Sequence, residues 1–139
     1  MKTFNLKINE WDSVFYEGKV QSVQIPLEDG LYGILANHEN TISCIVPGLI
    51  KIVDDDGSTL YASVSQGMLK IEKGNVLLLV EAAEHPDDIN ENMVNREKRK
   101  ASDALTHRLN KREYNAATIA IAKATSRLRL KNLNNYNNR

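Results

Sequence analysis

The sequence predicts an α+β protein in which an antiparallel β-sandwich (residues 1–84) precedes an antiparallel α-helical hairpin (residues 85–139). Short alternating apolar segments fill the first part, and strong helix formers fill the second. The net charge is zero over 139 residues, but it divides unevenly. Residues 1–84 hold six Lys against twelve acids, a net −6, whereas residues 85–139 hold twelve bases against six acids, a net +6. An acidic body with a basic arm is therefore expected.

The predicted strands are recognised by alternation and by the turns between them. Phe4, Leu6 and Ile8 alternate with polar residues, as do Val23, Ile25 and Leu27, and Val20 is out of phase as a β-bulge would make it. Further apolar segments are bounded by turn pairs such as Pro47-Gly48 and Gly74-Asn75; they cover residues 42–46, 49–53, 59–64, 68–71 and 76–80. Many short strands without intervening helices favour an antiparallel sandwich.

Two helices are predicted after the break at His85-Pro86. Asp88 and Glu91 form a possible capping box for a helix that ends near Leu105, and Asn110 with Glu113 marks a second start. An apolar stripe follows along the second helix, at Tyr114, Ala117, Ile121, Ala124 and Leu128. Because the seam is largely Ala, it buries little area, and we expect a loosely docked arm. The Asn-rich residues 132–139 are expected to fray.

Composition excludes several classes of protein. No apolar run approaches the roughly 18 residues of a membrane span, and no secretory signal follows Met1. The three His residues are far apart and no metal-binding spacing occurs, so no metal site is predicted. Cys44 lies in an apolar segment and is predicted to be a core residue. No phosphate-binding glycine loop or nucleophile motif is found, so no catalytic residue is predicted.

The order of short motifs resembles one known family along essentially the whole chain. The sandwich part contains Gly33-Ile34-Leu35, His38, Pro47-Gly48 and Gln66-Gly67-Met68-Leu69. The helical part contains Lys98-Arg99-Lys100-Ala101, and then Tyr114 opening a helix that ends at Arg127-Leu128-Arg129. This order is similar to that of the epsilon subunit of bacterial F-type, proton-translocating ATP synthases. The resemblance implies a non-catalytic central-stalk subunit that couples the rotor to the catalytic head, with a hairpin that folds beside the sandwich or extends to inhibit ATP hydrolysis.

The resemblance also implies partners and contact residues. The partners would be the gamma subunit, the c-ring loops and the alpha and beta subunits, with an isolated chain that is a monomer. The complex would hold the chain at the cytoplasmic face of the inner membrane, with no membrane contact of its own. The c-ring loop would comprise Glu28, Asp29, Gly30, Leu31 and Tyr32, whose last two side chains either make an apolar contact or fold into the sandwich edge. His38 is either a gamma contact or an ordinary surface residue.

Seven basic residues are candidates for contact with acidic segments of the catalytic head, or else form a solvated helix face. They are Arg96, Lys98, Arg99, Lys100, Lys123, Arg127 and Arg129.

One family motif is altered. Many bacterial relatives bind ATP through a stretch Ile/Leu-Asp-x-x-Arg-Ala, in which the Arg donates to phosphate. Here the stretch is Ile89-Asn90-Glu91-Asn92-Met93-Val94, so the acid is replaced by Asn90 and the Arg by Met93. Weak or absent ATP binding is expected, and no cofactor is predicted.

Two other functions remain open from the residues alone. A nucleic-acid-binding module with a basic helical tail is the main alternative, although the −6 sandwich would repel phosphate and aromatic residues are sparse in the tail. A ligand-binding sandwich with a helical dimerisation hairpin is the third, and it predicts a discrete dimer.

Overall fold

The computed structural model describes residues 2–137 and contains nine strands and two helices in that range. The strands are β1 (Phe4–Asn9), β2 (Val14–Leu27), β3 (Gly30–Ile34), β4 (Thr41–Ile45), β5 (Gly48–Asp54), β6 (Thr59–Val64), β7 (Gly67–Glu72), β8 (Asn75–Val80) and β9 (Ala83–Glu84). A 3₁₀ turn follows at Pro86–Asp88, and the helices are α1 (Glu91–Ala104) and α2 (Lys111–Asn137).

The strands form a continuous sheet that folds on itself as a sandwich. Their order is β1-β8-β7-β4-β2-β5-β6-β9, with β3 beside β2. The long β2 belongs to both layers because its first half pairs with β1 and its second half pairs with β3 and β5. The predicted sandwich followed by two helices is confirmed, with one refinement: β1 and β8 pair in parallel, while the other pairings are antiparallel.

Alternation along the strands places one apolar face of each layer in a common core. Eighteen hydrophobic residues from all nine strands form this cluster, including Ile8, Ile25, Ile52 and Leu78, which are fully buried. The pairing register shifts between Val20 and Ser22, which confirms the predicted bulge.

Gly67 is required where β7 approaches β8. A Cβ atom at this position would lie 2.1 Å from the carbonyl oxygen of Leu79 and 2.8 Å from the Cα of Val80. Neither backbone atom can move without disturbing the pair, so only glycine fits at this end of the Gln66-Gly67-Met68-Leu69 motif.

The prediction that Cys44 is a core residue is wrong. On β4 the side chain of Ile45 is buried, whereas Cys44 is exposed and Ile42 is 72% exposed. This segment has apolar residues on both sides of the strand, so alternation does not reveal which side faces inward, and here residues 42 and 44 face outward. The alternation also did not indicate β3, β9 or the first half of β2.

The helices begin at asparagine caps. The Asn90 side chain accepts from the Met93 amide at 3.1 Å, so α1 starts two residues later than the predicted Asp88 capping box. The predicted start at Asn110 is confirmed, because its side chain accepts from the Glu113 amide at 2.8 Å. Helix α2 continues through Asn137, beyond the predicted frayed end at residue 132; residues 138 and 139 lie outside the described range.

The hairpin packs on β5 and β6 through a small second cluster. Its buried members are Ile89, Val94, Ala124 and Leu130, and they contact Leu49 and Tyr61 of the sandwich. Of the predicted stripe, Ala117 and Ala124 are buried but Tyr114 is exposed, while Leu130 lies outside the stripe and is the most buried residue of α2 in the described range. The stripe steps by 3.5 residues on average, so it drifts around a helix of 3.6 residues per turn.

Candidate functional site

One outer face of the sandwich is largely apolar, and no other element within residues 2–137 covers it. The register places Cys44 opposite Met68 and Met68 opposite Leu79, so their side chains form a row across β4, β7 and β8. In the next row, Ile42 and Leu77 lie on either side of Lys70, which is opposite both of them. We call these five apolar residues the apolar face. The outer surface of β5 and β6, by contrast, is covered by α2. A patch of this kind is typical of a protein-protein contact.

The predicted c-ring loop is the turn between β2 and β3. Glu28 and Asp29 form its exposed tip, and Gly30 has a φ of 127°, which favours glycine. The two residues of the apolar pair differ. Leu31 is 65% exposed and is free to make an apolar contact, whereas Tyr32 is half-buried against the core at the sandwich edge.

The structure brings Tyr32 and His38 together. The Tyr32 hydroxyl lies 2.6 Å from His38 Nε2, and the two rings meet edge to face with centroids 5.5 Å apart. His38 Nδ1 lies 2.9 Å from the carbonyl oxygen of Glu39. Because a carbonyl only accepts, Nδ1 carries the proton and Nε2 accepts from Tyr32. His38 therefore supports Tyr32 beside the β2–β3 turn, a link that residue spacing alone did not indicate.

The seven basic candidates occupy two different environments. Arg96, Arg99, Lys100 and Arg129 are exposed and Lys98 is half-buried. Lys123 and Arg127 face the sandwich instead. The Lys123 ammonium lies 3.0 Å from Glu81, and the Arg127 guanidinium contacts both Glu84 and Glu97. The contact of these seven residues with a catalytic head stays a prediction.

A cleft lies between the sandwich and the hairpin, and no residue of the altered motif (89–94) lines it. It has a volume of about 210 Å³, and its walls include Ser63, Ser65, Glu84, Lys123 and Arg127. Arg127 Nη2 donates to Glu84 Oε2 at 3.1 Å, Nε lies 2.6 Å from Glu84 Oε1, and Nη1 donates to Glu97 at 3.1 Å. The donor fork is thus directed at two carboxylates.

The residues of the altered motif do not complete a phosphate site. The Asn90 side chain caps α1, and Met93, which is half exposed, provides no hydrogen-bond donor from its side chain. Two carboxylates beside Arg127 would also repel a triphosphate. Positions 90 and 93 lack the acid and the arginine of the family motif.

Across residues 2–137, no helix is long and apolar enough to cross a membrane.

Comparison with known proteins finds relatives that all belong to one family. The family described as the ATP synthase delta/epsilon chain β-sandwich domain matches residues 3–86. An ATP synthase epsilon chain of Ruminiclostridium cellulolyticum is 33% identical over 92% of this chain and 95% of its own length. Another from Clostridium novyi is 30% identical over 93% of this chain and 98% of its own.

Two solved structures share the fold. A chain in the mitochondrial ATP synthase of Euglena gracilis superposes with a TM-score of 0.78 at 18% identity, covering 89% of this chain and 78% of that one. A chain in the central stalk and c-ring structure of the Tetrahymena thermophila mitochondrial enzyme gives 0.70 at 7% identity, covering 94% and 97%.

Proposed function

The chain belongs to the ATP synthase epsilon family, as a non-catalytic subunit of the rotary complex, and from that premise we propose that its hairpin is a movable inhibitor of ATP hydrolysis. The observation that carries this proposal is the separate attachment of the hairpin. Its apolar contact with the sandwich is a cluster of four buried residues, which can part without opening the main core. When extended, the hairpin would obstruct rotation of the central stalk.

Removal of the hairpin tests the inhibitory role. The full chain and a version truncated after Asp88 are reconstituted with the alpha, beta and gamma subunits, and ATP hydrolysis is compared. We expect faster hydrolysis with the truncated chain. Equal rates would refute inhibition while leaving the coupling role of the sandwich intact.

The apolar face is the proposed gamma-binding surface. It offers a row of apolar side chains on paired strands, and His38 lies three residues before the start of β4, the strand that holds two of them. A second positive charge beside Lys70 would be buried after docking without an acidic partner among the five residues of this face. We therefore expect Met68→Lys to weaken gamma binding at least tenfold, whereas Ile119→Lys on the exposed side of α2 has little effect. Equal affinities of the two variants, measured by surface plasmon resonance, would exclude this face.

The β2–β3 turn is the proposed c-ring contact, with Leu31 as its apolar tip and Glu28 and Asp29 beside it. The position is supported by exposure of Leu31 and by the support that His38 gives to Tyr32. Through these contacts the chain would lie at the cytoplasmic face of the inner membrane. Substitution of Leu31 by Asp should lower the yield of assembled rotor, and His38→Ala should lower it less.

ATP is proposed to bind weakly or not at all. The support is the pairing of Arg127 with Glu84 and Glu97 and the absence of an arginine at position 93. Isothermal titration with MgATP should give little heat. A dissociation constant in the low micromolar range or below would overturn this proposal.

A further inference from the structure

The segment that connects sandwich to hairpin runs along one edge of α2. We define the linker as residues 81–88, which include β9 and the 3₁₀ turn. Four side chains of α2, spaced by four, four and three residues, contact it: Lys123, Arg127, Lys131 and Asn134. Positions with this spacing lie on one side of a helix.

The contacts follow the same order on both segments. Lys123 pairs with Glu81 at 3.0 Å and Arg127 pairs with Glu84. Lys131 Nζ then approaches the Pro86 carbonyl oxygen at 3.3 Å, and Asn134 Nδ2 approaches Asp87 at 3.4 Å. Eleven residues of α-helix rise about 16 Å, and six residues of extended chain span up to about 20 Å. The lengths match, so each successive turn of α2 meets the next part of the linker.

We infer that this ladder of polar contacts is a latch that holds the linker on α2 and keeps the hairpin folded. The contacts themselves do not depend on the proposed movement of the hairpin. A regulatory role for the latch does rest on that proposed function. The linker contacts α2 near both of its ends, at Glu81 and Asp87. The hairpin could therefore extend only if residues 81–88 first separated from α2. The latch would also set the register, since a shift of α2 by one turn would place each base beside the wrong partner.

Arg127 is the central contact of the latch. It joins three elements, because Glu84 lies on β9, Glu97 lies on α1 and Arg127 itself lies on α2. Its side chain is about one quarter exposed, so its ion pairs are less screened than those of a fully exposed arginine. The Ser63 and Ser126 hydroxyls meet beside it at 3.1 Å and are buried.

The contact between Lys123 and Glu81 is also supported by a residue of the sandwich. Gln66 Nε2 donates to Glu81 Oε2 at 2.7 Å, while Lys123 donates to the other oxygen of the same carboxylate. Glu81 is therefore oriented by the strand layer before α2 docks. The polar contacts of the latch therefore add attachment to a hairpin whose Ala-rich seam buries little apolar area.

Hydrogen exchange of the isolated full-length chain tests this inference. Arg127→Met removes the central contact and keeps much of the aliphatic side chain, while Arg129→Met is the matched control. Arg129 is exposed on the same helix and makes no ion pair within the described residues. We expect amide exchange in residues 119–130 to be about tenfold faster in Arg127→Met than in Arg129→Met at low salt. High KCl should reduce the difference, because it screens the wild-type pairs.

Exchange in β1 and β8 serves as the internal reference for folding. If Arg127→Met fails to fold, Glu84→Gln and Glu97→Gln give the same test with almost unchanged side-chain shape. Equal exchange in the Arg127 and Arg129 variants, or in the wild type and both glutamine variants, would overturn the latch. These results are independent of whether the hairpin inhibits hydrolysis, which the truncation experiment decides.

Discussion

The sandwich and the hairpin of this chain are stabilised in different ways. Eighteen buried hydrophobic residues hold the sandwich together, while four buried residues and a set of ion pairs hold the hairpin against it. Charge screening by salt does not weaken the burial of apolar area, whereas it does weaken ion pairs at a partly exposed surface. We therefore expect the sandwich to stay folded under conditions in which the hairpin separates from it.

The dependence between the two parts is also one-sided. Leu49 and Tyr61, which receive the hairpin, belong to β5 and β6 of the sandwich. Loss of the sandwich therefore removes the docking surface of the hairpin. No strand pairing includes a residue of α1 or α2, so loss of the hairpin contact should leave the sheet paired.

The largest effect is expected in the sandwich core, from Leu78→Ala. The Leu78 side chain is fully buried, and its truncation should lower the free energy of unfolding by about 2–5 kcal/mol. Urea denaturation followed by circular dichroism measures this loss, and strand and helix signals should both shift. Leu79→Ala is the matched control, because the next side chain faces outward and its loss should change stability by about 0.5 kcal/mol or less. Similar losses in both variants would contradict the core assignment.

A smaller and local effect is expected from Leu130→Ala. This side chain is buried in the hairpin cluster, and its truncation should cost about 2 kcal/mol of docking free energy. Amide exchange should accelerate in α1 and α2 and stay unchanged in the strands, because the main core does not include Leu130. Ile119→Ala, on the exposed side of the same helix, should have little effect. Equal acceleration in the strands would show that the two parts unfold as one unit.

A still smaller loss of stability is expected when the cap of α1 is removed. Asn90→Ala removes the acceptor for the Met93 amide and should destabilise the first turn of α1 by about 1 kcal/mol. Asn90→Asp should preserve the turn, since aspartate caps equally well. Exchange of the α1 amides measures both. The aspartate variant also restores the acid of the relatives' ATP motif, so a gain of ATP affinity in it would show that position 90 contributes to binding even without an arginine at position 93.

The sequence indicated the sandwich because its residues alternate locally, and local alternation needs no knowledge of neighbouring strands. It indicated Asn110 as a cap and Val20 as a bulge for the same reason. Cys44 could not be placed, because Ile42, Cys44 and Val46 alternate with Ser43 and Ile45, and only strand pairing decides which of the two sets is covered. Asn90 and Asp88 are both good caps, and the 3₁₀ turn over residues 86–88 decided between them.

The contacts of the candidate site were beyond reach for a different reason. Tyr32 and His38 meet across a bend, and Lys123 and Arg127 meet acids 30 or more residues away. Nothing in the spacing of charges along the chain selects Glu81, Glu84 and Glu97 from the other acids. The sequence predicted a basic face on α2, but only the fold shows that two of its members point inward.

The smallest effect is expected at the β5–β6 turn, where the sandwich has a charged contact of its own. A hydrogen bond with the Asp54 side chain, together with the Ser58 contacts, lowers the pKa of Asp56 to about 2, and the same Asp54–Asp56 bond raises the pKa of Asp54. Since the folded-state pKa of Asp56 lies below its ordinary value, its stabilising contribution is present above about pH 4. That contribution is lost as the pH falls through about 2.

Carboxyl NMR titration can separate this acid-sensitive turn from the core beneath it. Between about pH 4 and pH 2 the signals of the turn should change while the amides of β1 and β8 stay protected, because no carboxylate belongs to the main core. Asp54→Ala should bring the pKa of Asp56 back toward its ordinary value, whereas Asp54→Asn keeps a donor and should preserve more of the shift. If Asp56 titrates normally in the wild type, the shared bond is absent. If the strands open together with the turn, the sandwich is not held by apolar burial alone, and its contrast with the hairpin is one of degree.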